Sequence, residues 1–250
     1  MPRGKLINTA SIANPTMTWN IAEGTPVPLF DCTNFVKQIT GTIFPVSCMI
    51  TVGRDLLQDS IVNLAVELAN VMGNSVKHEL DRVVAVGDGT TQPQGLFTAS
   101  GLTVVSSDNS TPGPPTVADM ERLIFSVPKQ YRTASNEYGS CFVMNDVTYS
   151  RVRGVPVGPA DERRVFGLDE QSYSILGYPV RIQPNIPNAS TMFASLKRYR
   201  LWRRAGWETR WETGGIQLIQ NNQVLIWLRG RYYGKVLDAG AFAVCTSGQS

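Results

Sequence analysis

The chain has one histidine, His78, so any catalytic triad or histidine-held metal would have to be built on it. It lies between Lys77 and Glu79 inside a run of helical periodicity, and a solvated or packed side chain is the reading that this position supports. The segment GDGTTQPQG (87–95) is the next candidate, because glycines and backbone amides can wrap an anion. It lacks a following G-K-[ST], and it leaves a helix where a phosphate loop enters one, so it reads as a structural turn. The carboxylate pairs Asp81 with Asp88 and Asp161 with Glu162 come without the pattern that glycoside or metal chemistry needs. Cys32, Cys48, Cys141 and Cys245 form no C-x-x-C pair and no shared spacing, so free buried thiols are expected in place of zinc or a disulfide framework. No catalytic, cofactor-binding or metal-ligating residue is assigned, no cofactor is expected, and the chain does not read as an enzyme.

One dense basic and aromatic cluster remains, KRYRLWRRAGWETR from Lys197 to Arg210. Interleaved Arg and Trp can stack bases and neutralise phosphates, which would make a nucleic-acid-binding module. The same residues serve equally as inter-subunit pairs, or as partners of Glu208 and Glu212, with the tryptophans as packing anchors. The second use is preferred. A net charge of +3 with 17% charged residues supplies no overall basic field, and no DNA-reading helix motif is present.

The elements that must position these residues read as a mixed α+β chain. At 250 residues and 42% hydrophobic, it can bury one large core or two small ones. No stretch approaches the ~18 apolar residues of a membrane span and no apolar signal segment opens the chain, so a reducing cytoplasm and no membrane partner are expected. Leu57, Ile61, Leu64, Leu68, Val71, Met72, Val76, Leu80, Val83 and Val84 recur at three-and-four spacing. About 25 residues could be helical there, a strut roughly 35 to 40 Å long running into GDGTTQPQGL. Residues 1–17 read as an extended arm with no core of its own. FVKQITGTIF returns as a strand with mixed faces, in a hairpin too marginal to stand without an outside surface. Thr116 and Asp119 predict a capping box over a second helix that Pro128 ends. CFVMN reads as a buried strand, 146–153 as a short helix, GVPVGPADERRVFG as a polar loop, SILGYPVRI as strand-like, and strands dominate from Met192 to Val244.

In order along the chain, these pieces resemble the major capsid protein family of tailed bacteriophages, with the Hong Kong ninety-seven type capsid fold. The family's "S/T-x-x-L-L-x-D-S" segment is matched by ITVGRDLLQDS (50–60), and its "G-D-G-T-x-x-P-x-G-L" by GDGTTQPQGL (87–96). TWNIAEGTPVP, FVMND, LGYPV with PNIP, and RGRYYGKVLDAGAFAVCT are similar to the family's outgoing loop arm, central strand, "G-x-P-V" turn and closing strand. The resemblance implies an N-terminal arm at 1–17, an extended loop at 18–47 and a peripheral domain with a spine helix at 48–113. It further implies an axial domain at 114–190, return strands at 191–235 and a C-terminal axial strand at 236–250.

The function it implies is self-assembly, as hexamers and pentamers, into an icosahedral shell around double-stranded DNA held without sequence specificity. Such a subunit would belong to the virion capsid, be assembled in the host cytoplasm, and meet scaffolding, portal and decoration proteins. An encapsulin-like nanocompartment shell is the alternative on the same fold. Trp19, Glu23, Lys37, Arg198, Arg200, Arg203, Arg204, Asn222 and Arg229 are the inter-subunit contact candidates. Some relatives join subunits through a lysine, an asparagine and a helping glutamate. Lys37 and Asn222 can stand at the first two places, but Arg229 stands at the third, which argues against autocatalytic crosslinking. The chain opens at the arm, with no scaffolding segment before it, so scaffolding is expected from a separate protein or a part not shown.

Overall fold

The computed structural model describes residues 6–12, 36–59, 64–107, 115–132, 139–154, 156–158, 161–164, 174–204 and 206–246. The first half comprises β1 (Leu6–Ile12), β2 (Val36–Thr42), β3 (Phe44–Gly53), α1 (Arg54–Asp59), α2 (Leu64–Val86), β4 (Thr103–Val105) and α3 (Val117–Ser126). There follow β5 (Ser140–Met144), α4 (Asp146–Arg153), β6 (Pro156–Gly158), β7 (Asp161–Arg164), β8 (Ser174–Ile175), β9 (Tyr178–Ile182) and β10 (Ser190–Ser195). The chain closes with β11 (Tyr199–Arg203), β12 (Glu208–Glu212), α5 (Ile216–Gln220), β13 (Gln223–Val236) and β14 (Phe242–Thr246).

Two larger sheets organise these elements. A six-stranded sheet runs β4-β14-β10-β5-β9-β8. In it SCFVM and STMFAS are buried throughout, because the sheet is covered on both faces and its strands read as continuous apolar runs. Alternate residues serve opposite layers. Phe142, Met144, Phe193 and Cys245 face a core completed by Met120 and Leu123 of α3, Val127 just after it, and Tyr149 and Val152 of α4. Cys141, Val143, Met192, Ala194 and Phe242 face a second core with Ala85, Leu96 and Ile186. Phe193 meets Phe142 edge-on at 5.1 Å and Tyr178 at 4.9 Å, the offset geometry that ring quadrupoles favour. The capping box forms: the Asp119 N–H donates to Thr116 Oγ1 at 3.2 Å, and the Thr116 N–H donates to the Asp119 carboxylate at 2.8 Å.

A four-stranded sheet is built on β13. Strand β3 pairs along one side, from Gln223↔Gly53 to Tyr232↔Phe44, while β12 and β11 share the other. Its face toward α2 holds Val52, Ile226 and Leu228 against Leu64, Leu68, Met72 and Val76. Helix α2, 23 residues and about 35 Å long, thus packs its first half on this sheet and its end, Val84 to Val86, on the six-stranded one. It is a strut joining two cores. Much of it is bare: among its described side chains only Met72, Val83 and Ala85 are buried.

Several expectations are revised. Val71 is 54% exposed, since Met72 takes the facing position and Val71 lies about 100° around the helix from it. The strand expected at 34–44 forms, but its partner is Leu6–Ile12, inside the stretch read as an arm, in register from Leu6↔Thr42 to Ile12↔Val36. LINTASI has the β-branched spacing for a ladder, which AEGTPVP, with two prolines, lacks. The loop read in GVPVGPADERRVFG contains the short antiparallel pair β6–β7. Residues 191–195, placed by the resemblance at the start of the return strands, pair with β5 and β14 in the six-stranded sheet.

Candidate assembly surfaces

The clasp at the end of α2 explains each residue of GDGTTQPQGL. The Asp88 carboxylate accepts the N–H groups of Thr90, Thr91 and Gln92 at 2.9 to 3.0 Å and the Thr91 hydroxyl at 2.6 Å. The Thr91 hydroxyl, with those amides, holds the carboxyl well below the usual carboxylate range. The turn then doubles back onto the helix: Gly95, Leu96 and Phe97 donate their N–H groups to the carbonyls of Gly87, Val84 and Ala85 at 2.8, 2.8 and 3.0 Å. Such close backbone approach requires glycine. A Cβ on Gly87 would stand 2.0 Å from the Pro93 carbonyl oxygen, and one on Gly95 would stand 2.4 Å from the Gly87 nitrogen. The tip of the turn is pinned to the four-stranded sheet, because the Gln94 N–H donates to the Gly234 carbonyl at 3.2 Å and the hydroxyl of the half-buried Tyr199 donates to the Gln94 carbonyl at 2.8 Å. Arg82 bridges Glu79 and Gln92, each at 2.6 Å, and its hydrogen bonds hold the Glu79 carboxyl below its ordinary pKa. The Asp88 carboxylate and the backbone of 94–97 are spent on holding the strut, which is the structural turn the sequence predicts.

The Lys197–Arg210 cluster divides by partner. Arg198 lies 5.1 Å from the Tyr131 ring centroid, and the Tyr131 hydroxyl donates to Asp238. Arg210 and Arg229 lie 5.6 and 5.7 Å from the Trp227 ring, a geometry in which the ring's negative face attracts the cation. Trp202 stacks on Tyr233 at 5.2 Å, and Tyr233 in turn packs over Gly41, where a Cβ would stand 1.9 Å from the ring. Arg200 and Arg203 point outward from β11, opposite Lys235 and Tyr232, and both are exposed. Arg204 donates its backbone N–H to Arg231 at 3.1 Å. Among the described residues, none of Arg200, Arg203, Arg204 and Arg229 makes an ion pair within the chain.

Of the other contact candidates, Trp19 and Glu23 lie outside the described residues, and Lys37 stands opposite Ser11 in the β1–β2 ribbon. Asn222 closes the turn before β13, with φ +50°. Its side-chain amide donates to Asp55 at 2.8 Å, and its carbonyl accepts the Arg54 N–H at 2.9 Å. Lys37 lies on β2, whereas Asn222 lies beside Gly53, at the far end of the following strand β3.

His78 is exposed on α2, at the mouth of a cleft of about 650 Å³ that also presents Lys77, Asp81 and Arg181. Among the described residues, no group of His, Cys, Asp and Glu is arranged to hold a metal. Cys141 and Cys245 are buried thiols, pushed up to about 12 and about 11 by burial, whereas Cys48 is half-buried and Cys32 lies outside the described residues. Sequence reasoning missed an apolar groove of about 290 Å³ between α2 and β12–β13, where Gly73 leaves a notch opposite Trp207 and Trp211. The signal was there in the lone glycine of the helix.

A strut helix between two sheets, with a two-stranded ribbon and with arginines that make no ion pair among the described residues, fits a structural subunit. The phage capsid family model matches residues 13–247, and the chain belongs to that family: it is a major capsid protein of a bacteriophage, a component of the virion capsid that forms a homo-oligomeric shell. The fold is similar to that of a chain described as the capsid of a native GTA particle, with a TM-score of 0.79 and 20% identity, covering 99% of this chain and 86% of that one. It is also similar to the structure from Mycobacterium phage Adephagia, with a TM-score of 0.68 and 16% identity over 99% of this chain and 86% of that one. The structure from Gordonia phage Cozz gives 0.68 and 13% over 99% and 82%. No curated protein sequence matches significantly.

Proposed function

We propose that the protein assembles as hexamers and pentamers into a closed icosahedral shell that encloses double-stranded DNA, and that assembly takes place in the host cytoplasm. The observation that carries this is the mismatch between one chain and its own surfaces: a family capsid subunit leaves a 23-residue helix half bare and, among the described residues, pairs β1 and β2 only with each other. Neighbouring copies are the natural cover, and heterologous contacts between them close into rings when their rotation allows. On this reading Arg200, Arg203 and Arg229 reach across subunit boundaries, and Asn222 orders its own turn. Residues 48–102 with β11, β12 and β13 act as a peripheral domain, and the six-stranded sheet, which includes β4 and β10, acts with α3 and α4 as the axial one. The subunit acts through its geometry, with no catalytic step of its own, and scaffolding, portal and decoration proteins are its further partners.

Imaging of purified particles by electron microscopy, together with their ultraviolet absorbance ratio, tests the proposal. Shells with a nucleic-acid absorbance ratio are expected. Shells that hold a protein cargo and no genome would make it a nanocompartment. A monomer that binds single strands with steep salt dependence would return the function to the Lys197–Arg210 cluster.

A further inference from the structure

We propose that the outer edge of β3 is completed by strand β1 of a second copy, so that the four-stranded sheet continues across the subunit boundary. The inference rests on the shell reading above. Among the described residues, β3 pairs with β13 along all of Phe44–Gly53 and with nothing else, which leaves the outward N–H and C=O groups of a 10-residue strand without a ladder. Such an edge is a template for another strand, and proteins that keep an edge unpaired guard it with charges, proline or short length.

The chain guards most of its other edges. At the opposite side of the same sheet, β11 (YRLWR) and β12 (ETRWE) carry five charges: Arg200, Arg203, Glu208, Arg210 and Glu212. In the six-stranded sheet the edge strands are short, with 3 residues in β4 and 2 in β8. In the small pair, β7 reads DERR. Strand β3, FPVSCMITVG, has no charged residue, and its only guard is Pro45 near one end. Met49 in its middle is 61% exposed.

One other strand shares this property. Strand β1, LINTASI, is 7 residues long, carries no charge and, among the described residues, pairs only with β2. Its partner β2 carries Lys37. A two-stranded ribbon is marginal alone, and a third ladder on its free edge is what it lacks. The same chain's β1 cannot supply β3. Leu6 stands opposite Thr42, just before β3 begins, and β1 runs from there along β2 away from β3. The donor is therefore a second copy. Donor and acceptor edges differ, so the contact is heterologous and propagates around a ring.

Single prolines at Ser47, Cys48, Met49 and Ile50, together with amide exchange, test this. Inward and outward N–H groups alternate along β3. Two of the four prolines should break pairing with β13 and unfold the subunit. The other two should fold with unchanged circular dichroism, yet yield at least tenfold fewer shells. In the wild-type chain, the outward β3 amides should exchange at least tenfold more slowly in shells than in dissociated subunits. That measurement holds even if every proline variant fails to fold. Cysteines placed singly at Asn8, Thr9 and Ala10 should give oxidised intermolecular links that map to Cys48 or to S47C. Proline variants that fold and form shells at the wild-type yield, equal amide exchange in the two states, or links that map elsewhere would overturn the pairing alone. A wild-type chain that forms no oligomer would overturn the shell reading with it.

Discussion

Replacing Gly87 with alanine should cost more than any single core truncation of comparable size, because the added methyl meets backbone on both sides. A Cβ there would lie 2.0 Å from the Pro93 oxygen and 2.6 Å from the Val83 oxygen. An ordinary carbon–oxygen contact is about 3.3 Å, so the Pro93 carbonyl must retreat by about 1.3 Å. That movement carries Gln94 with it, whose N–H reaches Gly234 and whose carbonyl accepts the Tyr199 hydroxyl. It also opens the Gly95-to-Gly87 bond of 2.8 Å. Three hydrogen bonds at about 1 kcal/mol each, plus overpacking strain of about 1 to 3 kcal/mol, give a loss of about 4 to 6 kcal/mol. That is a large part of a typical stability of about 5 to 15 kcal/mol. Urea unfolding of dissociated subunits measures it, and the midpoint should fall with the slope unchanged. Gly73→Ala is the internal control. Nothing lies within 4 Å of a Cβ at that helical position, so alanine should stabilise by up to about 1 kcal/mol. If Gly87→Ala costs under about 1 kcal/mol, the clasp does not depend on the close backbone approach argued for it.

Tyr199→Phe should cost about 1 to 2 kcal/mol by leaving the Gln94 carbonyl without its donor; an unchanged urea midpoint would show that water replaces the hydroxyl. Asn222→Val should destabilise by about 1 to 3 kcal/mol, because a β-branched residue is strained at φ +50° and the bond to Asp55 is lost, while Asn222→Gly should lose only the bond. In denaturing gels the wild-type shells should run as monomers, and a covalent ladder would mean that Lys37 and Asn222 react despite Arg229. The carboxyls of Asp88 and Glu79 are depressed in the fold, so what they stabilise is present above about pH 4, the unfolded value, and is lost as pH falls through their folded values. Amide exchange at Thr90 to Gln92 should accelerate in that acid range, and Asp88→Asn should flatten the response. Thiol titration of folded subunits at pH 8 should leave Cys141 and Cys245 unreacted.

The sequence pattern reached furthest where local rules and tertiary packing agree. The Thr116–Asp119 cap, the buried CFVMN strand and the turn after the long helix all read correctly, since each is fixed by residues within a few positions of one another. It reached less far where a choice depends on distant partners. Nothing within FVKQITGTIF says whether its ladder comes from residues 6–12 or from the stretch that follows them. Val71 and Met72 are both apolar, and only the position of β13 decides which is covered. Among the contact candidates, residue type alone could not separate Arg198 and Arg229, which lie over aromatic rings of their own chain, from Arg200 and Arg203, which have neither a ring nor an ion partner among the described residues.

The same division bears on how the subunit is stabilised. The six-stranded sheet has buried layers on both faces and the capped α3 behind it, so its stability is internal to one chain. Among the described residues, the four-stranded sheet is covered on one face only, by α2. Its other face presents Met49, Thr51, Arg210 and Glu212 to the outside, and α2 itself is mostly bare. Burial of apolar surface contributes about 25 cal/mol per Å², so the sheet covered on one face alone gains much less from its own chain than the sheet covered on both. Unassembled subunits should therefore open first at β3 and the start of α2. Assembly should raise protection there more than in β5 or β10, because covering an unpaired edge and a half-bare helix adds most where one chain supplies least.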